Sequence, residues 1–163
     1  MFSLQDVLNG LDLDLDGYRL DETCTTGGSY YTGKDIGMVA RAASISRAFG
    51  TNHYETFDAS LLSCLNKWIR ADGDVTHQHK NTSGLNKIEY PLSDTLRDAD
   101  KLLYDVTWGG MISRGVDDSE DIDPNANFGF VTYNDHHFHL GYWVYAMAYY
   151  VQYYPQWGIG KPQ

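Results

Sequence analysis

The residues with the most chemical potential lie together in the stretch FVTYNDHHFHLGYWVYAMAYY, residues 130–150. Asp135 is followed by His136, His137 and His139 and then by a run of aromatic side chains. A carboxyl group can give or take a proton, and imidazoles titrate near neutrality or ligate metals. A helix starting near Asn134 would place Asp135 in its first turn. Asp135 and His139, four apart, would then share a face with Tyr142 one turn on, and His136 and His139, three apart, would be neighbours. Polar groups at the mouth of an apolar helix need partners, because burying them unpaired is costly. Two readings meet that need. Asp135 caps the helix while the histidines satisfy loop carbonyls, or the group forms the floor of an active-site cleft. The zinc-protease pattern of two histidines four apart with a glutamate between them is absent. Asp135, His139 and Asp105 would make a set of three, but their spacing specifies no metal, and none is assigned.

The elements that must position these groups are mainly helical. DIGMVARAASISRAFG (35–50) repeats apolar residues at helical spacing and has Gly50 as a stop. Asn52 with Glu55 reads as a capping box opening a second helix to about Arg70, with Phe57, Leu61, Cys64, Leu65 and Trp68 on one face. A short turn between them makes a helical hairpin. The last helix runs from near Asn134 to before Pro155 and, apolar nearly all round, is expected to be buried. LLYDVTWGGMISRG (102–115) reads as a short strand or hairpin broken at Gly109-Gly110.

The remaining segments read as connections. Residues 1–34 are expected to be loop-rich. LDLDLDG (11–17) resembles the start of a calcium loop, but Thr23 stands where the bidentate carboxylate belongs, so a solvated acidic turn is the better reading. Residues 73–93, with His77, His79 and Glu89, are expected to be polar and irregular. The acidic segment 116–129 is expected to be a solvated loop.

Whole-chain properties narrow the function. The chain has 163 residues, which suits one domain. Its 12 Lys and Arg against 22 Asp and Glu give a formal charge of −10, which disfavours nucleic acid and anionic membrane partners. Apolar residues are 42% of the chain, enough for a packed core. No run of 18 apolar residues is present to span a membrane, and the opening MFSLQDVLNG lacks the pattern of a signal peptide. Thirteen Tyr and four Trp with few cations suit flat neutral ligands, sugars above all. Cys64 sits in a helical pattern and reads as a small core residue; a disulfide to Cys24 is not indicated, and cysteine usage leaves the redox compartment open.

YNDHHFHLGYWVYAMA resembles the signature of glycoside hydrolase family 81, the endo-β-1,3-glucanases or laminarinases. SYYTGKDIGMVARAA (29–43) is similar to the approach and first helix of that family's catalytic domain, and LLYDVTWGGMISRG to its Tyr-Asp-x-x-Trp-Gly-Gly segment. The resemblance covers roughly residues 29–155. It implies a mainly α fold, part of an (α/α)6 toroid of helical hairpins, with a short β-hairpin near 102–113. It implies hydrolysis of internal β-1,3-glucosidic bonds with inversion, with no cofactor. Asp135 would be the general acid. Tyr104, Asp105, Thr107, Trp108, His136, His139 and Tyr142 would line the glucan cleft. The family's usual Tyr is Leu140 here.

Inversion needs a protonated carboxyl at the leaving oxygen and an ionised carboxylate across the sugar, about 6.5–9.5 Å away. A helix N-terminus favours the anion, so burial or a nearby anion such as Asp105 must keep an acid at Asp135 protonated. The family's base is a glutamate well downstream, and no glutamate follows Glu120. The expectation is therefore a loop-rich lead-in (1–28) and the first part of a glucanase catalytic domain (29–163), inactive alone. Exposed apolar helix faces would favour self-association. A non-catalytic β-glucan-binding fragment using Trp108, Tyr142 and His139 is the alternative, and a metal-binding structural domain a third reading. Location is not readable from the chain, although the resemblance suggests a secreted or cell-wall protein.

Overall fold

A computed structural model describes residues 3–17, 24, 28–69, 79–82, 85–88, 102–105, 107–113 and 124–158. The protein is mainly helical. Its elements are α1 (Leu4–Gly17), α2 (Ser29–Ala48), α3 (Tyr54–Trp68), β1 (His79–Thr82), β2 (Leu85–Ile88), β3 (Leu102–Asp105), β4 (Gly110–Ser113), a 3-10 segment (Ala126–Thr132), α4 (His136–Tyr153) and α5 (Pro155–Gly158).

α2 is the spine of the core. Thr32, Ile36, Val39, Ala40 and Ala43 are buried at helical spacing, and the small residues let neighbouring backbones come close. A methyl group at Gly33 would sit 2.7 Å from Trp143 Nε1. Glycine at 33 is thus what lets the indole of α4 lie against α2, where Nε1 donates to the Ser29 carbonyl at 2.9 Å. Trp143 also packs on Trp68 of α3, with ring centroids 4.9 Å apart. The face expected for α3 is the one that is buried, with Phe57, Leu61, Cys64, Leu65 and Trp68 all inside.

α2 stops as its sequence requires. Gly50 has φ +68°, and its amide reaches the Arg47 carbonyl at 3.1 Å while Thr51 reaches Ser46 at 3.0 Å. The start of α3 differs from expectation. Asn52 does not cap it through its side chain. Instead the Ser46 hydroxyl accepts the Tyr54 amide at 2.8 Å, from across the turn. A partner from the preceding helix takes the place of the local capping box.

The C-terminal ends of α2 and α4 and the start of α3 are joined by an ion pair between a part-buried guanidinium and a buried carboxylate. The Arg47 guanidinium bonds the carboxylate of Asp58, which is 3% exposed. Tyr149 and Tyr154 donate to the two Asp58 oxygens at 2.8 and 2.7 Å and accept from Arg47 at 3.0 Å each. Burial pushes the Tyr149 hydroxyl well above its ordinary range, so it stays a donor. Tyr54 and Tyr153 also pack against the guanidinium, 3.8 and 4.1 Å from ring centroid to Cζ.

Several elements depart from the sequence reading. Residues 4–17 are helical, so LDLDLDG lies on α1 and is neither a calcium loop nor an acidic turn. Leu11 packs into the core and Asp12 lies 2.7 Å from His53. Within 73–93, β1 and β2 pair antiparallel, Thr82 opposite Leu85. His77 and Glu89 lie outside the described residues, as do 116–123 of the acidic loop. Cys24 and Cys64 form a disulfide tying the segment before α2 to α3. α4 is not buried all round. His139, Trp143, Ala146, Tyr149 and Tyr150 face inward, whereas Phe138, Val144 and Tyr145 are exposed. Among the described residues no helix is long and apolar enough to cross a membrane. The hairpin expected near 102–113 is present, β3 pairing antiparallel with β4.

Candidate functional site

The site lies where the β3–β4 hairpin meets the start of α4. Asp105 ends β3 and organises the turn. Its Oδ1 accepts the Thr107 amide at 2.8 Å and the Trp108 amide at 3.4 Å, and its carbonyl accepts the Gly109 amide at 2.8 Å. This is an Asx-type turn, the role that Asp favours in an Asp-x-Thr-Trp-Gly sequence. The Tyr133 hydroxyl donates to the other oxygen at 2.8 Å. Burial acts to raise the Asp105 pKa, but the hydrogen bonds from Tyr133, Thr107 and Trp108 outweigh it and hold the group below the usual carboxylate range. Asp105 is therefore a fixed anion, and Trp108 beside it stands 79% exposed. The hairpin is fastened again by His136, whose Nε2 bonds the Met111 carbonyl. Gly110 is required there, since a Cβ would meet the Tyr133 ring at 2.5 Å.

Asp135 occupies the N-cap position of α4, one residue before the helix rather than in its first turn. Its backbone is left-handed (φ 49°, ψ 22°), and its side chain makes no capping hydrogen bond. Its carbonyl accepts the Phe138 and His139 amides at 3.1 and 3.2 Å. The carboxylate is exposed. The reading in which this side chain merely caps the helix therefore fails. Of the two settings named for an acid here, burial or a nearby anion, burial is not the one found.

His139 is 1% exposed. Its Nδ1 lies 2.9 Å from Ser29 Oγ, and its ring is stacked on Phe130, centroids 4.9 Å apart at 9°. Burial lowers its pKa and nearby His136 adds to that, against the pull of Asp135. The ring is therefore a neutral hydrogen-bonding group at neutral pH. Phe130 also stacks on His136, at 4.8 Å and 22°.

Tyr142 lies further along α4, in contact with Tyr30 and Phe138, at 6.2 and 5.7 Å between centroids. Tyr30 in turn stacks on Phe138 at 5.6 Å and 15° and meets Phe128 at 5.6 Å. The result is an aromatic shelf beside Asp135, with Tyr31, Phe128 and Phe138 exposed. It continues into an open groove of about 560 Å³ between α2 and α4, with Lys34 and Arg41 among its lining residues.

Of the residues singled out in the sequence, Asp105, Thr107, Trp108, His136 and His139 thus join one ensemble around the start of α4. Tyr142 stands on the adjoining shelf. Tyr104 pairs with Met111 in the hairpin through its backbone. Its side chain lies outside the described residues. Ser29, Tyr30, Asn127, Phe130 and Tyr133 were not singled out. Tyr133 stood in plain view inside the motif, whereas Ser29 and Asn127 are ordinary polar residues 98 positions apart that only folding joins.

A mainly helical domain thus brings an exposed carboxylate, a fixed anion and a shelf of aromatic faces together. The comparison with known proteins gives the family. Residues 4–161 match the family described as the glycosyl hydrolase family 81 C-terminal domain, and the chain belongs to that family. It is also similar to a glucan endo-1,3-β-D-glucosidase of Glycine max, 44% identical over 62 residues. That match takes in 37% of this chain and 9% of the soybean protein. A glucan endo-1,3-β-D-glucosidase of Arthroderma benhamiae is 45% identical over 47 residues, 29% of this chain and 5% of that protein. The primary septum glucan endo-1,3-β-D-glucosidase of Schizosaccharomyces pombe is 48% identical over 48 residues, 29% of this chain and 4% of that protein. The chain therefore spans a small part of the length of the relatives it matches.

Proposed function

We propose that this chain carries the acid side of a site that hydrolyses internal β-1,3-glucosidic bonds in a laminarin-like glucan with inversion. Asp135 gives its proton to the leaving glycosidic oxygen as water attacks the anomeric carbon from the opposite face, the water's proton passing to a carboxylate across the sugar. The observation that carries this reading is that Asp135 stands exposed at the head of α4 with its carboxylate withheld from capping. A purely structural aspartate at that position would be expected to bond the first-turn amides. Asp105 and His136 hold the hairpin wall, Trp108 and Tyr142 offer ring faces to the sugar, Thr107 stands beside Trp108, and the buried His139 backs the cleft from beneath. The reading assigns no base. It takes the chain as part of a glucanase catalytic domain, an (α/α)6 toroid of which α2 and α3 form one hairpin. The exposed Phe138, Val144 and Tyr145 of α4 favour self-association of the chain.

The test is reducing-end release from laminarin by the chain and by Asp135→Asn, with laminari-oligosaccharide binding measured by calorimetry on both. Binding by both, with any release lost in Asp135→Asn, is the expected result. Release that persists in Asp135→Asn would remove Asp135 as the acid. Saturable binding with no release from either protein fits an acid half-site without its base, and binding unchanged in Asp135→Asn then leaves the glucan-binding alternative standing beside it. Absence of binding would remove the glucan reading altogether.

A further inference from the structure

The left-handed backbone of Asp135 is one of several such conformations in a short stretch. Asn127 (φ 50°), Phe128 (φ 60°), Gly129 (φ 81°) and Tyr133 (φ 63°) share it. Each non-glycine residue held there is strained by about 1 kcal/mol or more and persists only where its surroundings enforce it. Two asparagine side chains supply that enforcement. Asn127 Oδ1 accepts the Ser29 amide at 3.2 Å, and its Nδ2 donates to Ser113 Oγ at 3.0 Å. It thereby ties the segment to the head of α2 and to β4. Gly28 makes room for it, since a Cβ there would lie 2.3 Å from Asn127 Oδ1. Asn134 closes the other end. Its Nδ2 donates to the Phe128 carbonyl at 2.9 Å and its amide to the Gly129 carbonyl at 3.0 Å. The chain between them is folded into a knot that delivers the next residue, Asp135, in a left-handed conformation.

We propose that Asn127 and Asn134 are positioning residues that hold Asp135 left-handed, so that its carboxylate projects away from the helix N-terminus instead of capping it. The inference rests on the reading of Asp135 as the acid for its purpose, but not for its structural content. A carboxylate that bonded the His137 amide would be tied down as an anion and withheld from the leaving oxygen. The fold of this segment holds it off that amide. Neither asparagine touches the reacting atoms in this account.

The test uses the whole chain with Asn127→Gly, which allows the left-handed conformation while removing the carboxamide and its Cβ. Two NMR signals are read: the amide–Hα coupling with the 13C shifts of Asp135, and amide exchange at His137. The proposal expects Asp135 to leave the left-handed region and cap the helix, slowing exchange of that amide about fivefold. Retention of wild-type signals in Asn127→Gly would overturn it. If that variant does not fold, Ser113→Ala removes only the acceptor of Asn127 Nδ2, and the same two signals decide in the same way. Laminari-oligosaccharide binding is measured alongside. A wild-type chain that binds no glucan defeats the functional reading while leaving the backbone result intact, and an unchanged backbone defeats the knot while leaving the functional reading intact.

Discussion

Ser29 and His139 stand 110 residues apart in the chain and 2.9 Å apart in the fold, the hydroxyl of one against Nδ1 of the other. The contact fastens the first turn of α2 to the first turn of α4. It also keeps an imidazole buried beside Asp135. The consequences of this arrangement and of the surrounding packing are measurable.

His139 is expected to make stability fall in mild acid. Its folded pKa lies below the ordinary 6.5, chiefly through burial. The unfolded chain therefore takes up a proton that the folded chain refuses. The contribution is fully present above pH 6.5 and is lost as pH falls through the lowered folded value. Urea unfolding at pH 7.5 and at pH 5.5 should show the loss in the wild type and a smaller one in His139→Gln. Equal losses in the two proteins would place the pH dependence elsewhere.

Trp108→Ala is expected to leave stability within about 0.5 kcal/mol, because the ring is largely in water. The same substitution should weaken laminari-oligosaccharide binding, because the exposed ring face is the natural stacking surface for a sugar. Calorimetry beside a thermal melt separates the two effects. Unchanged affinity would take Trp108 out of the cleft.

Asp58→Ala should cost about 3–5 kcal/mol, since it leaves the Arg47 guanidinium part-buried without its anion. Replacing both together, as Arg47→Met with Asp58→Leu, should recover much of that loss, because the desolvation cost of both charges disappears. Denaturant midpoints for the single and double variants decide this. A double variant no better than Asp58→Ala would show that the four tyrosines around the pair depend on it for their places.

Reducing the Cys24–Cys64 disulfide should cost about 4 kcal/mol, the loop-closure value for a separation of 40 residues. Thermal melts with and without reductant, beside Cys24→Ser, should agree. A melt insensitive to reductant would mean that the two thiols are not joined in solution.

The sequence by itself determined the helical framework around the core. Apolar spacing in 35–50 and 54–68 is a local property, and the buried face of α3 follows it throughout while that of α2 follows it at Ile36, Val39, Ala40 and Ala43 but not at the exposed Ala48. The motif 134–139 and the segment Tyr104–Gly110 likewise marked the candidate site, because proton-donating and ring side chains are scarce and conspicuous at such density. Other features were not legible. α4 is apolar almost all round, so periodicity had no polar face to reveal and overstated its burial. α1 went unseen because alternating leucines and aspartates in LDLDLDG imitate a turn-rich acidic loop. The α3 start uses Ser46 rather than the nearby capping box, since a hydroxyl from the previous helix reaches the amide first. Only tertiary structure decided the setting of Asp135. Its left-handed backbone depends on Asn127, whose partners are Ser29 and Ser113, so the strain is sustained by contacts that no local reading can contain.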